Sequence, residues 1–357
     1  MTMIWLTLMI GFLFSFFARY YAVPDINSPV FIRPSKFPTF IVAAAIVLCS
    51  GLRNNIGDTV FYMHAYIVDD FSWAAIAQNK DIGFGILQKT LQGFSKDPQI
   101  LIVVTALITN VVIVSVLYKY ARLFDLAIYI YITSGAFIVS MNGVRQYLTA
   151  AVIFAATKYI LDGSWKRYIA VVLFAALFHQ SALIMIPIYF IVRRKAWTLP
   201  TFLMLGLAVI IVLGFNQFSE ILFSAIKDTQ YGEYQSFSEG GANVYRVAFY
   251  ALPLIIAFLG REKLRVLFPK IDIMVNLSLI GLVLMIISTQ NWIFARLAIY
   301  FTLYQIILTA WIVKSFRQKD QKLVYFMILI IYLIFFFYEN VITLGLQYRS
   351  DYLTWFR

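Results

Sequence analysis

The chain is poor in the residues that build metal centres and cross-links. One cysteine, Cys49, and two histidines, His64 and His179, stand in 357 residues. A lone cysteine excludes an internal disulfide and any cysteine metal cluster; within an apolar run it reads as a small buried side chain. Charge is scarce too: Asp, Glu, Lys and Arg make up 13% of the chain, about half the share found in soluble domains. There is no tandem repeat, no low-complexity tract, and none of the alternating ten-residue segments a membrane barrel needs.

What fills the chain is apolar. Hydrophobic residues reach 62% and the mean hydropathy is +0.82, which predicts an all-α polytopic membrane protein forming one transmembrane domain over residues 1–357. Apolar runs long enough to cross a bilayer extend from Ile4 to Tyr21, Phe37 to Leu52, Gln99 to Tyr118, Leu123 to Ser140, Val144 to Leu161, Thr198 to Phe215, Val244 to Leu259, Ile271 to Thr289, Ile293 to Val313 and Leu323 to Thr343. These predict about ten full spans. The first run has no basic residue before it and no small-residue cleavage site after it, so it reads as a retained span and not a signal peptide.

Orientation follows from the tendency of cytoplasmic loops to collect Lys and Arg. With the N-terminus outside, Arg33 and Lys36, Lys119 and Arg122, Lys158, Lys166 and Arg167, the cluster from Arg261 to Lys270, and the cluster from Lys314 to Lys322 all fall inside. One full crossing by residues 168–192 would put Arg193, Arg194, Lys195 and every later basic loop outside. A split or re-entrant pair that enters from the cytoplasm, turns near Phe178 to Ser181 and returns avoids this. The same bias accounts for the net charge of +12 without a nucleic-acid partner. Two loops then lie outside: one at about 53–98, carrying short amphipathic stretches with Asp58/Thr59 and Ser72 as helix caps, and one at 216–243, rich in Tyr, Gly and Ser, whose rings suit either sugar stacking or an interfacial belt.

Titratable groups at membrane depth are costly and tend to face cavities or substrates. On this topology the conspicuous ones converge on the outer side. Arg53 and Asp58 follow the second span; Asn142, Arg145 and Gln146 form the turn between the fourth and fifth; His179 caps the hairpin; Arg246 opens the seventh span; Arg296 lies just inside the turn NWIFAR. Guanidinium offers fixed bidentate donors to phosphate oxygens and keeps its charge at low dielectric, and a histidine suits proton transfer at neutral pH. Bland readings stand beside these. Arg53, Arg246 and Arg296 also fit as snorkelling interface anchors, Asp58 as a helix cap, and His64, among aromatic neighbours, as structural. Adjacent Asp69 and Asp70 diverge on a helix and carry little metal signal.

At the same residues the chain resembles the EpsG family of exopolysaccharide proteins, grouped with Wzy-like polymerases and O-antigen ligases. The matching pieces are GLRNNIGDTVFYMHAY (51–66), GFGILQKTLQGFSKDPQ (83–99), NGVRQYLTAA (142–151) and FAALFHQSALIMIPIYF (174–190), in the family's order. The C-terminal half matches in hydropathy, with Arg296 ahead of Tyr300 and Phe301. The resemblance implies a GT-C-like membrane glycosyltransferase in the bacterial cytoplasmic membrane, with its site on the extracytoplasmic side. Its implied substrates are undecaprenyl-diphosphate-linked oligosaccharides, one as donor and one as acceptor, joined without metal or other cofactor into an exopolysaccharide of the biofilm type. Membrane lipids and other polysaccharide-assembly proteins are the further partners it implies. On this reading His179, Arg145 and Arg53 are catalytic, with His179 or Asp58 assisting the acceptor hydroxyl. Arg296, Asp58, Gln146, Asn142 and Arg246 bind substrate. A flippase for the same lipid, an O-antigen-type ligase and a non-catalytic scaffold are the alternatives.

Overall fold

The computed structural model describes residues 1–26, 28–226 and 240–353. Most of them are helical; the strands among the described residues are a two-residue antiparallel pairing of β1 (Val23–Pro24) with β2 (Ile32–Arg33). The protein is a multi-pass membrane protein. Four helices have the length and apolar character to cross a bilayer alone: α1 (Thr2–Tyr20), the helix Gln99–Tyr120, the stretch Ile293–Ser315, and the stretch Gln321–Thr343. Three bent pairs raise the count to seven if each is one span.

The remaining expected spans are helical but short. α2 (Lys36–Gly51) has 16 residues, about 24 Å at 1.5 Å per residue against a hydrocarbon core of about 30 Å. Residues 53–98 hold three short helices, α3 (Thr59–Val68), α4 (Trp73–Gln78) and α5 (Ile82–Gln92), ahead of α6 (Gln99–Tyr120). The run from Leu123 to Ser140 bends by 52° between α7 (Phe124–Thr133) and α8 (Ala136–Asn142). Gly135 supplies the positive φ of +85° that the bend requires. The next run divides into α9 (Val144–Ala155) and α10 (Thr157–Asp162). After these come α11 (Trp165–Ala176), α12 (Met185–Val192), α13 (Leu199–Leu213), α14 (Phe215–Ile226), α15 (Val244–Leu259), α16 (Arg261–Leu267), α17 (Ile271–Ile287), α18 (Ile293–Ile312) and α19 (Gln321–Phe336). Most of the aromatic loop expected at 216–243 lies outside the described residues, and its first part, expected as loop, forms α14.

α7 is buried along its whole length and α18 along most of it. Around them, α1, α6 and α19 pack against α7, and α9, α15 and α17 against α18. The loops sort to two ends. At one end Lys270 faces Asp162, Arg265 donates to the Ala196 carbonyl, and the Trp311 indole N–H donates to the Tyr120 carbonyl. At the other, the Asp58 amide donates to Asn142 and the Ala242 amide to the Ser288 carbonyl.

Residues 165–192 fold back on themselves. α11 ends at Ala176, the chain turns through Leu177 to His179, and a 3-10 turn over Gln180–Ile184 leads into α12. The rings of Tyr168, early in α11, and Tyr189, late in α12, lie 5.1 Å apart, and Arg193 donates to the Ile160 carbonyl that precedes α11. The two arms therefore run antiparallel and end where they began.

Candidate functional site

Asp81, immediately before α5, is the hub of the first group of polar residues. Its side chain is 3% exposed and sits 2.8 Å from Arg145 Nη1 and 3.3 Å from His179 Nδ1; its other oxygen accepts from the Gln180 amide at 3.3 Å. Arg145 Nε also reaches the Tyr62 hydroxyl at 3.3 Å, and its guanidinium lies over the rings of Tyr62 and Phe84. Three segments distant in sequence, the start of α5, the start of α9 and the hairpin tip, are thus joined by one carboxylate. The Gly83 amide donates to the Leu177 carbonyl at 2.7 Å, an approach so close that a Cβ on Gly83 would stand 2.9 Å from Leu177 Cβ.

The second group lines a cavity of about 550 Å³ enclosed mainly by α8, α15, α18 and the end of the last span. Its polar wall is Asn142, Arg246, Arg296, Glu339 and Asn340. Arg246 is paired with Glu339, which lies in a π-helical turn over Phe337–Thr343 that continues α19. Arg296 is exposed, its guanidinium 4.5 Å from the centre of the Trp292 ring, and it makes no ion pair among the described residues. Such a wall can hold an anion through Arg296 and, if Glu339 yields, through Arg246.

α9 separates the two groups. Tyr147 lines the cavity and Arg145 meets Asp81; at about 100° per residue these positions lie roughly 200° apart around the helix. Between them, Gln146 donates to the Arg296 carbonyl at 2.8 Å. The hairpin tip is tethered on the same side, because the Ser181 hydroxyl bonds the Tyr300 hydroxyl at 2.7 Å one turn beyond Arg296.

The expected residues therefore divide. Arg145 and His179 come together, Arg246, Arg296 and Asn142 share the cavity, and Gln146 bridges the two. Arg53 departs from expectation. It is 1% exposed, and its guanidinium donates to the Met141 carbonyl at 2.6 Å, to Thr59 Oγ1 at 2.9 Å and to the Ser50 carbonyl, so it presents no free edge to a phosphate. Asp58 stands at the cap position of α3 without a side-chain cap bond; its backbone amide binds the Asn142 side chain at 2.9 Å. Ser72 does cap α4, and its amide and hydroxyl hold the carboxyl of Asp70 below the usual range. His64 is exposed on α3.

Two acids escaped the sequence reading. Asp81 lies between Lys80 and the glycine-rich start of α5, where a carboxylate reads as loop; its partners are 64 and 98 residues away. Glu339 did carry a signal, as the one acid inside the last apolar run, where a carboxylate needs a partner or a cavity.

The EpsG family model matches residues 36–350. The chain belongs to the EpsG family. This is a family of Wzy-like polymerases, and the match takes in the Asp81 group and the cavity lining alike. It also extends over the C-terminal half, including Arg246, Arg296 and Glu339. No curated protein and no solved structure matches the chain.

Proposed function

We propose that this EpsG-family protein is a metal-independent membrane glycosyltransferase of GT-C type with about ten spans. It polymerises undecaprenyl-diphosphate-linked oligosaccharide repeats on the outer face of the cytoplasmic membrane. The observation that carries the reading is the cavity itself: about 550 Å³ inside a bundle of apolar helices, with two arginines on its wall. That volume suits a diphosphate and its first sugar, and although Glu339 already pairs with Arg246, Arg296 is a cation at membrane depth that is costly unless it meets an anion.

On this reading the donor's diphosphate lies against Arg296 and Arg246, with Asn142 at the edge. The acceptor hydroxyl oxygen attacks the donor's anomeric carbon. The new carbon–oxygen bond forms as the bond to the diphosphate breaks, and the electron pair leaves on phosphate. Negative charge grows on that leaving group, so preorganised guanidinium groups bind it more tightly in the transition state than in the ground state. The hydroxyl proton passes to His179, which stands across α9 from the cavity arginines, so the acceptor must reach the donor past the bridge from Gln146 to the Arg296 carbonyl. Arg145, already paired with Asp81, acts beside His179 more than on the phosphate. Arg53 holds the chain between α2 and α3 against the Met141 carbonyl, one residue before Asn142.

Reconstitution tests this directly. Full-length protein in proteoliposomes with a synthetic polyprenyl-diphosphate repeat unit should give glycans longer than one repeat. Transbilayer movement of the lipid without elongation would support a flippase, and transfer of one glycan onto a different acceptor would support a ligase.

A further inference from the structure

We infer that Asp81 is a positioning residue for His179: it keeps the ring proton on Nδ1 and leaves Nε2 as the nitrogen that receives the acceptor's proton. The inference rests on the assignment of His179 to the acceptor hydroxyl and deepens it.

An ionised carboxylate accepts hydrogen bonds and donates none. Asp81 has three polar neighbours on its two oxygens, Arg145 Nη1, the Gln180 amide and His179 Nδ1. The first two always carry a proton, and the third must carry one to bond. A neutral imidazole has a single N–H, so a proton on Nδ1 leaves the Nε2 lone pair open. Among the described residues nothing hydrogen-bonds Nε2, and the His179 side chain keeps 16% of its surface exposed.

A carboxylate this deeply buried is tolerated only when paired and hydrogen-bonded. Arg145 meets that need at 2.8 Å, the shortest of the three contacts. The His179 contact is longer, at 3.3 Å. Its geometry is held from outside: the Gly83 amide to the Leu177 carbonyl ties the start of α5 to the hairpin turn, and Ser181 to Tyr300 ties the tip to α18. His179 itself has an extended backbone, with φ −159°, just before the 3-10 turn.

The chain has two histidines, so a His64→Gln background leaves one imidazole to observe. The full-length protein, labelled with 15N-histidine in lipid bilayers at about pH 8, above the ordinary imidazole range, should show the proton on Nδ1. Asp81→Asn should shift the ring toward the Nε2–H tautomer. With the synthetic polyprenyl-diphosphate repeat as probe, Asp81→Asn should lose at least tenfold in turnover, less than the roughly 100-fold or more that a general base itself supplies, with apparent KM changed less than about twofold. Asp81→Glu, which restores a carboxylate, should recover part of the rate. A wild-type ring carrying its proton on Nε2, or on both nitrogens, overturns the inference even if Asp81→Asn fails to fold. So does an Asp81→Asn protein with an unchanged tautomer. The spectrum is read without substrate, so failure of the wild type to elongate glycan counts against the polymerase reading alone.

Discussion

The arginines that stand out in the sequence meet three different fates: Arg145 and Arg246 pair with Asp81 and Glu339, Arg53 is buried on backbone carbonyls, and Arg296 is exposed in the cavity. Arg53 is a buried strut. Arg53→Ala would strand the Met141 and Ser50 carbonyls and Thr59 inside the protein, a loss of about 1–3 kcal/mol or more, seen as a lower thermal unfolding temperature in detergent; wild-type stability would return Arg53 to the list of phosphate ligands. Arg296, exposed in the cavity, should behave oppositely: Arg296→Ala should keep its unfolding temperature and weaken diphosphate binding roughly tenfold, about 1.4 kcal/mol, measured by titration with polyprenyl diphosphate. Arg145 and His179 were legible because polar groups standing in apolar turns are conspicuous. Whether an arginine presents its charge to a cavity or spends it on backbone carbonyls depends on contacts such as Arg53 to Met141, 88 residues apart, which local sequence does not record. Asp81 was hidden for the same reason.

Among elements, the hairpin expected over 168–192 is the clearest case, because charge balance and apolar length disagree there, and the folded-back arms resolve the disagreement. Other breaks left no such trace. Neither glycine nor proline marks the division of α9 from α10 at Ala156, and the π-helical turn at Phe337–Thr343 interrupts an unbroken apolar run. Four spans extend far enough to be read from length alone; others stop early or bend. The contact of α5 with the hairpin turn is the joint on which the Asp81 group depends. Gly83→Ala, with its Cβ 2.9 Å from Leu177, should push the two apart at a cost of about 1–3 kcal/mol and lower elongation more than Gly206→Ala, where a Cβ meets nothing within 4 Å. Equal activity of the two variants would show that the joint is not needed.

At the scale of the whole molecule, the basic loops gather at one end and the candidate site lies toward the other, the arrangement that charge bias in membrane loops produces. Cys49 is the sole cysteine, so a Cys49→Ala background permits single-cysteine labelling from either side of the membrane. Ser164→Cys and Lys195→Cys, flanking the hairpin, should react from the same side, and Asn54→Cys from the opposite one; labelling of positions 164 and 195 from opposite sides would make the segment a full span and invert everything after it. The central claim is that the cation-lined cavity and the Asp81-tethered hairpin together perform glycan transfer. Its most direct test is the glycan length distribution made by proteoliposomes supplied with a synthetic polyprenyl-diphosphate repeat, comparing wild type with His179→Ala and Arg296→Ala. The account predicts multi-repeat glycans from wild type, slow elongation with retained lipid binding in His179→Ala, and weakened binding with slow elongation in Arg296→Ala. Full-length glycans from both variants would contradict it.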